Sequence, residues 1–289
     1  MATVTAAMVK DLREQTGLGM MDCKKALTEA DGDMESAIDA LRHSSALKAA
    51  KKADRTASEG LLALRVADDA SYAVLVEVNI ETDFAARNEK FLAFVTRVRD
   101  RAFEQRGADV ATLLAGGLDS ERETLVQEIG ENVAVRRVAR LNAPGGTIAS
   151  YMHADNRKAA LVALTGGDAE LGRDLAMHVT AIKPLVVSSA DVAPEIVAKE
   201  REIFTAQAQD SGKAADIIAK MVEGRVRKFL AEVSLLDQPF VKDDKTRVSQ
   251  LLAQKHARCT GFVRFEVGEG IDKVEKDFAA EVAAQVRGH

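Results

Sequence analysis

Apolar residues in the first 55 positions recur at helical spacing, and short turn-forming stretches interrupt them twice. Thr5 can cap a first helix, residues 16–19 break it with two glycines, and a second helix is predicted over residues 20–30. Residues 31–33 end the second helix and supply a cap for a third. The apolar positions along the three helices are Met8, Val9, Leu12, Met21, Ala26, Leu27, Ile38 and Leu41. The pattern predicts a small three-helix bundle of the size used as a docking module.

The pattern then changes to runs that are typical of strands. Residues 61–66 and the β-branched run 72–80 flank a polar turn, which predicts a β-hairpin. A helix follows whose apolar face carries Phe91, Phe94, Val95 and Val98. A further helix is predicted around residues 118–129 and a strand over residues 133–141. The predicted order is therefore β-β-α-α-β.

An internal repeat continues the chain. When the sequence is shifted by 84 positions, residues 91–96 lie over residues 175–180, and residues 78–80 lie over residues 162–164. Two matches at one offset, with strand on strand and helix on helix, indicate a duplicated subdomain. The second copy is predicted to close with a strand over residues 261–267. The sequence thus predicts an α+β fold with a duplicated core of antiparallel sheet and helix.

The two copies differ at the corner between the strand and the helix. The first copy has Thr82, Asp83 and Phe84 where the second has two glycines and an aspartate at residues 166–168. A large apolar side chain therefore stands where the other copy has a bare turn. A lone phenylalanine is ordinarily part of the core, and the alternative is a side chain that contacts a partner.

The second copy also contains an insertion, over about residues 191–235, that predicts a helical hairpin. Pro194 begins its first helix, and residues 210–212 are expected to form the turn. The positions expected to face inward are Ile196, Ile203, Phe204, Ile217, Ile218, Met221, Val222, Val226, Phe229 and Val233. A last amphipathic helix is predicted over residues 271–286.

A chain of 289 residues is long enough for two or three domains with a core each. The patterns divide it into an N-terminal bundle over residues 1–55, a first core subdomain over 56–142, a second over 143–190 and 236–267, the inserted hairpin over 191–235 and a C-terminal helical module over 268–289. With aromatic residues at only 4%, the cores of these parts must be aliphatic.

The charge balance favours protein partners over nucleic acid. There are 40 Lys and Arg against 45 Asp and Glu, which gives a formal charge of -5, and both signs are interspersed. Nucleic-acid binding needs net or clustered positive charge, because phosphate contacts supply most of the affinity. The densest basic stretch, residues 48–55, is interpreted as a solvated helix end or linker, with RNA contact as the alternative.

Cysteine usage and hydropathy indicate a cytoplasmic protein. Cys23 and Cys259 lie far apart in the sequence, so no disulfide framework is predicted. No apolar run approaches the length of about 20 residues that a membrane-spanning helix needs.

No catalytic constellation is found in the sequence. None of the five histidines stands at metal-ligand spacing from another or from a cysteine, so no metal or cofactor is predicted. His178 is interpreted as a core or interface histidine, with a metal ligand as the alternative. His153 beside Asp155 is interpreted as a turn residue, with a proton relay as the alternative. Cys23 beside Lys24 is interpreted as a buried helical cysteine, with a reactive thiol as the alternative. No glycine-rich phosphate loop is present, and the chain is not expected to be an enzyme.

Five blocks of the sequence resemble the elongation factor Ts family. They are spread over nearly the whole chain in the order that the family has, and each is longer than a short motif. The blocks are residues 12–27, which include Met20-Met21-Asp22-Cys23-Lys24-Lys25, residues 81–88, which read Glu-Thr-Asp-Phe-Ala-Ala-Arg-Asn, residues 176–179, residues 222–225 and residues 261–270. The chain departs from the family pattern at Ile80, where a cysteine is common, and at Ala85, where a valine is common.

The resemblance implies an N-terminal ubiquitin-associated-like domain at residues 1–55 and a role as guanine nucleotide exchange factor for elongation factor Tu. It implies that Thr82, Asp83 and Phe84 form the active corner, and that Asp83 and Phe84 enter the GTPase domain of the partner. There they would disturb the Mg²⁺ and phosphate site so that GDP is released and GTP can bind. The partner would be elongation factor Tu, with GDP bound or free of nucleotide, and self-association is a further expectation for some members.

The same resemblance implies that Arg13, Met20 and Met21 dock the N-terminal bundle on that GTPase domain. Two adjacent methionines suit an adaptable contact surface, although core packing is the alternative for Met21. His153 is a further candidate, for contact with another domain of the partner.

Two other functions remain open from the sequence. The chain could be a protein-binding adaptor that acts through its N-terminal bundle, which would make Phe84 dispensable. It could also be a hydrolase or transferase that uses Cys23 or His153, although no partner residue for either is found.

Overall fold

The computed structural model describes residues 4–107, 109–209 and 214–272. Within them the chain combines helices with small antiparallel sheets, which confirms the predicted α+β class. The chain divides into two compact units. The first contains the described parts of Met1–Ala63, Val76–Val138 and Val267–His289, and the second contains Leu64–Leu75 and Ala139–Glu266.

The N-terminal bundle consists of three helices, as predicted: α1 (Ala6–Thr16), α2 (Met20–Glu29) and α3 (Met34–Ala50). The backbone N of Met8 donates to the Thr5 hydroxyl at 3.3 Å, and the backbone N of Ser36 donates to the Asp33 carboxylate at 2.8 Å. These bonds satisfy helix-end groups that would otherwise lack partners, and both predicted caps are therefore confirmed. The bundle core consists of Val9, Leu12, Leu18, Cys23, Ala26, Leu27, Ala37 and Leu41.

The bundle is followed along the chain by the first sheet and the helices that belong to it. The elements are β1 (Glu59–Val66), β2 (Tyr72–Ile80), a 3-10 turn (Ala85–Arg87), α4 (Glu89–Glu104), α5 (Val110–Leu114), α6 (Leu118–Ile129) and β3 (Val133–Asn142). The strand order in this sheet is β1-β2-β3. Phe91 and Phe94 of α4 are fully buried, as the apolar pattern predicts. The short helix α5 was not predicted.

A buried carboxylate ties the strand β2 to the segment that begins at Val267. Glu77 is fully buried, and its Oε1 accepts hydrogen bonds from Arg136 Nη1 at 3.0 Å and from the backbone N of Gly268 at 2.9 Å. Its Oε2 accepts from Arg137 Nε at 2.5 Å. A buried charge is tolerated only when it is paired and hydrogen-bonded in this way. Gly268 has φ +73°, and a Cβ there would lie 2.3 Å from the Ser58 carbonyl oxygen, so only glycine fits.

The second unit contains a second sheet, its helix, the helical hairpin and a small two-stranded sheet. The elements are β4 (Thr147–Met152), β5 (Lys158–Thr165), α7 (Ala169–Ile182), α8 (Pro194–Gln209), α9 (Ala215–Val233), β6 (Pro239–Phe240), β7 (Asp243–Arg247), α10 (Val248–Gln254) and β8 (Arg258–Glu266). The sheet order β4-β5-β8 matches β1-β2-β3 of the first sheet, as the internal repeat predicts. The elements β6, β7 and α10 were not predicted.

His178 of α7 is a fully buried core residue, as predicted. Its Nε2 is 2.9 Å from Gln238 Oε1, and its Nδ1 accepts from the backbone N of Val241 at 3.1 Å. This pattern requires the neutral ring with its proton on Nε2, because Nδ1 can accept only when it carries none. Burial lowers the pKa of His178 below its usual value of 6.5, and the bond to Gln238 opposes that shift only in part.

The helical hairpin has helices where they were predicted, and its apolar seam contains some of the predicted residues but not all of them. The side chains that pack together are Val197, Phe204, Ala208, Ile218, Val222, Val226 and Leu230. Ile196, Ile203 and Ile217 are exposed, so their predicted inward orientation is wrong. On α8 Phe204 packs in the seam as predicted, whereas Val197 packs in place of its neighbour Ile196, and one residue corresponds to a rotation of about 100° around a helix. The predicted turn at residues 210–212 lies outside the described residues, as does the predicted last helix beyond Asp272.

None of the helices in the described ranges is long and apolar enough to span a membrane.

Candidate functional site

The corner between β2 and α4 is a separate short segment, not a simple turn. β2 ends at Ile80, a 3-10 turn covers Ala85–Arg87, and α4 begins only after Asn88. The Asn88 side chain accepts a hydrogen bond from the backbone N of Lys90 at 2.9 Å and thereby caps α4. The corner therefore has its own local structure between the strand and the helix.

Phe84 is the most exposed apolar side chain of this region. It is 81% exposed, although its ring is large enough to dominate a core. Its backbone angles, φ -64° and ψ -48°, lie in the ordinary right-handed region, so the exposed position costs no backbone strain. Core packing, which is the usual fate of a lone phenylalanine, is thus excluded for Phe84 within the described chain.

Asp83 lies beside Phe84 and is only loosely engaged. Arg87 Nη2 donates to its Oδ2 at 3.3 Å, and the Asp83 and Arg87 side chains are 50% and 77% exposed. Exposed ion pairs of this kind contribute little to stability, about 0–1 kcal/mol. The carboxylate of Asp83 can therefore exchange this partner for another at small cost.

Thr82 is held firmly, in contrast. Its backbone N donates to Glu131 Oε2 at 2.9 Å, and its hydroxyl donates to Glu131 Oε1 at 2.7 Å. The same hydroxyl accepts from the backbone N of Ala85 at 3.2 Å. Glu131 was not identified from the sequence, because it lies 49 positions from Thr82 and belongs to no recognisable motif.

Met20 and Met21 project into solvent at the start of α2. They are 55% and 78% exposed, so the alternative of core packing for Met21 is wrong within the described chain. Gly17, with φ +72°, ends α1 and allows the tight turn that leads to them. Arg13 lies on the last turn of α1 and is also exposed. All three side chains are therefore exposed on the bundle.

Lys90, near the start of α4, contacts the turn between α1 and α2. Lys90 Nζ forms an ion pair with Glu128 Oε1 at 2.8 Å and donates to the Gly17 carbonyl oxygen at 3.4 Å. Lys90 follows the cap Asn88 by two positions, and Gly17 precedes Met20 by three. The same lysine, glutamate and glycine line a groove of about 720 Å³ in the first unit. The exposed methionines and the corner that carries Phe84 thus belong to segments joined by a direct contact.

His153 belongs to the second unit, on the turn between β4 and β5, as predicted. Its Nδ1 lies 3.4 Å from the Tyr151 hydroxyl, and the ring is exposed. The Asp155 carboxylate accepts from the backbone N of Arg157 at 2.9 Å, which is a turn-stabilising bond. Neither contact builds the proton relay that was the alternative for His153.

The two cysteines are buried, as expected for Cys23. Cys23 Sγ lies 3.8 Å from the Leu18 carbonyl oxygen and 3.7 Å from the Thr16 hydroxyl, within the bundle core. Burial raises the pKa of the Cys259 thiol to about 11, which disfavours the reactive thiolate. Among the described residues, no group of three or more His, Cys, Asp or Glu side chains could hold a metal ion.

Comparison with known proteins assigns a family to this arrangement. The family model described as "Elongation factor TS" matches residues 81–269. The chain is 57% identical over 288 residues to elongation factor Ts of Hahella chejuensis, and the match covers 100% of both chains. It is 58% identical over 283 residues to elongation factor Ts of Saccharophagus degradans, with 98% of each chain covered. It is 53% identical over 284 residues to that of Marinobacter nauticus, again with 98% of each covered.

Proposed function

Since the chain belongs to the elongation factor Ts family and so serves translation elongation, we propose that it is a guanine nucleotide exchange factor for elongation factor Tu. In the proposed sequence of steps, the chain binds GDP-bound Tu, GDP is released, and GTP then binds Tu and dissociates the nucleotide-free complex. Nucleotide exchange makes and breaks no covalent bond, and for that reason the chain needs no catalytic residue. The place of action would be the cytoplasm, where elongation takes place.

The observation that carries the proposal is the exposed Phe84 on a corner of its own. Burying a phenylalanine side chain is worth about 1.5–3 kcal/mol. Each 1.4 kcal/mol corresponds to about a tenfold change in an equilibrium constant. If the ring is buried only when Tu is free of nucleotide, this one contact weakens GDP binding by about ten- to a hundredfold.

Thermodynamic linkage explains how such a contact expels a nucleotide. An exchange factor and GDP that each prefer a different state of Tu weaken each other by the same factor. We propose that Phe84 enters between two helices of the GTPase domain, and that Asp83 leaves Arg87 to hydrogen-bond there. The Mg²⁺ and phosphate site of Tu is then disturbed, although the factor never touches the nucleotide's base.

The N-terminal residues complete the proposed interface. We propose that residues 1–55 dock on the same GTPase domain through Arg13, Met20 and Met21. Methionine side chains adapt well to a partner surface because they are unbranched and polarisable. The contact of Lys90 with Gly17 and Glu128 supports a fixed spacing between this group and the corner. His153 is proposed as a separate contact with another domain of Tu.

The test is the release of a fluorescent GDP analogue from elongation factor Tu. We expect the wild-type chain to accelerate release strongly and Phe84→Ala to lose about ten- to a hundredfold of that acceleration. The matched control is Ile196→Ala, which removes another exposed apolar side chain, from α8. No acceleration by the wild-type chain would contradict the proposed function, whereas full acceleration by Phe84→Ala would contradict the role of this side chain alone.

A further inference from the structure

Glu131 lies in the short connection between α6 and β3, where α6 ends at a glycine in the left-handed conformation, Gly130. Both oxygens of its carboxylate accept hydrogen bonds from Thr82, one from the backbone N at 2.9 Å and one from the hydroxyl at 2.7 Å. The Thr82 hydroxyl has a single proton, which it gives to Glu131, and its lone pair accepts the N–H of Ala85 at 3.2 Å. One carboxylate therefore fixes residues on both sides of Phe84.

The residues next to this pair, Glu81 and Asn132, also hydrogen-bond each other, with the donor now on the segment that contains Glu131. The backbone N of Asn132 donates to Glu81 Oε1 at 2.7 Å. The Asn132 side chain is buried and donates to the carbonyl oxygens of Ala53 and Arg55 at 3.2 and 2.8 Å. We call Glu81, Thr82, Glu131 and Asn132 the corner clasp. Residues 81–82 and residues 131–132 thus hydrogen-bond each other in both directions. Asn132 also connects the clasp to the backbone that follows α3.

From these contacts we infer that Glu131 is a positioning residue for nucleotide exchange, which holds the corner so that Phe84 projects ready for the partner. This inference rests on the proposed function. Phe84 is almost free of contacts and the Asp83–Arg87 pair is exposed, so neither fixes the corner. A binding segment that must be ordered during association loses affinity for each side chain that becomes fixed. The clasp removes this cost because the corner is ordered beforehand.

The exchange test compares Glu131→Ala and Thr82→Val with the wild-type chain at a concentration of the factor well below saturation. We expect each substitution to lower the rate of GDP release there by about tenfold, because two or three corner groups must be ordered on association, while the rate at saturation falls less. Thr82→Ser keeps the hydroxyl and should recover most of the rate lost by Thr82→Val. The matched control is Glu121→Ala, which removes a carboxylate of α6 that pairs with Arg97 and not with the corner.

Repeating the Glu131→Ala substitution in the Phe84→Ala background separates positioning from general stability. If the clasp acts through Phe84, its loss adds nothing once the ring is gone. An equal loss of rate in both backgrounds would make Glu131 a merely structural residue and overturn the inference.

A second readout does not depend on exchange activity. Amide hydrogen exchange of the isolated chain should show that Glu131→Ala removes the protection of the Thr82 and Ala85 amides, while that of Val78 in β2 is retained. Unchanged protection would overturn the clasp, and lost protection with an unchanged rate of GDP release would overturn its positioning role. If the wild-type chain releases no GDP, the proposed function fails, the role in exchange fails with it, and amide protection still decides whether the clasp orders the corner.

Discussion

The two copies of the repeated subdomain turn from strand to helix in different ways. In the second copy β5 ends at Thr165, two glycines follow, and Asp168 caps α7 directly by accepting from the backbone N of Leu171 at 2.8 Å. In the first copy the 3-10 turn and Phe84 stand between β2 and the cap Asn88. At the offset of 84, the 3-10 turn lies over residues 169–171, the first turn of α7. In the first copy, the residues that correspond to the first turn of α7 therefore form a separate 3-10 turn at the corner.

The two corners also differ in how closely they pack against the rest of the chain. A Cβ on Gly166 would lie 2.2 Å from the His256 carbonyl oxygen, so this corner is closely packed against its own unit. Phe84, by contrast, is 81% exposed. One corner is thus packed against its own unit, and the other leaves a large apolar side chain exposed to solvent.

The largest expected effect comes from giving the first corner the side chains of the second. The triple substitution Thr82→Gly, Asp83→Gly and Phe84→Asp should lower the acceleration of GDP release from elongation factor Tu by at least about a hundredfold, because it removes the ring of Phe84 and the carboxylate of Asp83 together. The free energy of unfolding should fall by only about 1–2 kcal/mol, from the lost Thr82–Glu131 hydrogen bond and the two added glycines, since all three side chains are exposed. Stopped-flow GDP release and urea unfolding measure the two quantities. If the free energy of unfolding falls by more than the free energy that corresponds to the loss of rate, the contrast between the two corners is contradicted.

Gly166→Ala tests the other corner, where we expect the reverse. The substitution should lower the free energy of unfolding by about 3 kcal/mol, because left-handed backbone and a blocked Cβ position both oppose it. The matched control is Gly145→Ala, since Gly145 has the same φ of +71° but nothing within 4 Å of its Cβ position, and about 1 kcal/mol is expected there. Urea unfolding followed by circular dichroism measures both. Equal losses would mean that backbone conformation alone, and not close packing, sets the cost.

The smallest effect is expected within the two helices, where His178 corresponds to Phe94 at the same offset. His178→Phe should lower the free energy of unfolding by about 1–3 kcal/mol near pH 7.5, because the backbone N of Val241 and the Gln238 side chain lose their buried partner. Since burial lowers the pKa of His178, the unfolded chain binds the proton more readily than the folded one below the usual pKa of 6.5. Stability from this group is complete above that pH and is lost as the pH falls through the folded pKa.

Urea unfolding of both proteins between about pH 7.5 and 5.5 checks this prediction. The difference between wild type and variant should narrow with falling pH, by at most about 1.4 kcal/mol for each pH unit. A difference that stays constant would show that the folded and the unfolded chain bind the proton equally, and that the pKa of His178 is not lowered.

Local signals in the sequence predicted much of the fold. The caps Thr5 and Asp33 are confirmed because a capping bond forms between residues close in sequence. The repeat predicted the common strand order of the two sheets for a similar reason, since a shared pattern folds in a shared way. In contrast, β7 (Asp243–Arg247) was missed because its residues are polar and mostly exposed, so no alternation of apolar and polar positions marks it.

The clasp and part of the seam of the helical hairpin could not be predicted from such signals, for physical reasons. Ile196 and Ile203 are as apolar as the residues that do pack, and only the rotation of α8 against α9 decides which of them face inward. The sequence identified Thr82, Asp83 and Phe84 as a group, but Glu131 reaches them only through the folded chain. Contacts between residues far apart in sequence depend on tertiary structure, which a periodic pattern does not encode.

The bond between Glu77 and Gly268 has a consequence for the order in which the protein is made. The two residues are 191 positions apart, so the ribosome must synthesise all of the second unit before the partner of Glu77 exists. Domains usually fold as units in the order of their synthesis. Here we expect the unit that is begun first to be completed last, and until then two arginines alone neutralise its buried carboxylate.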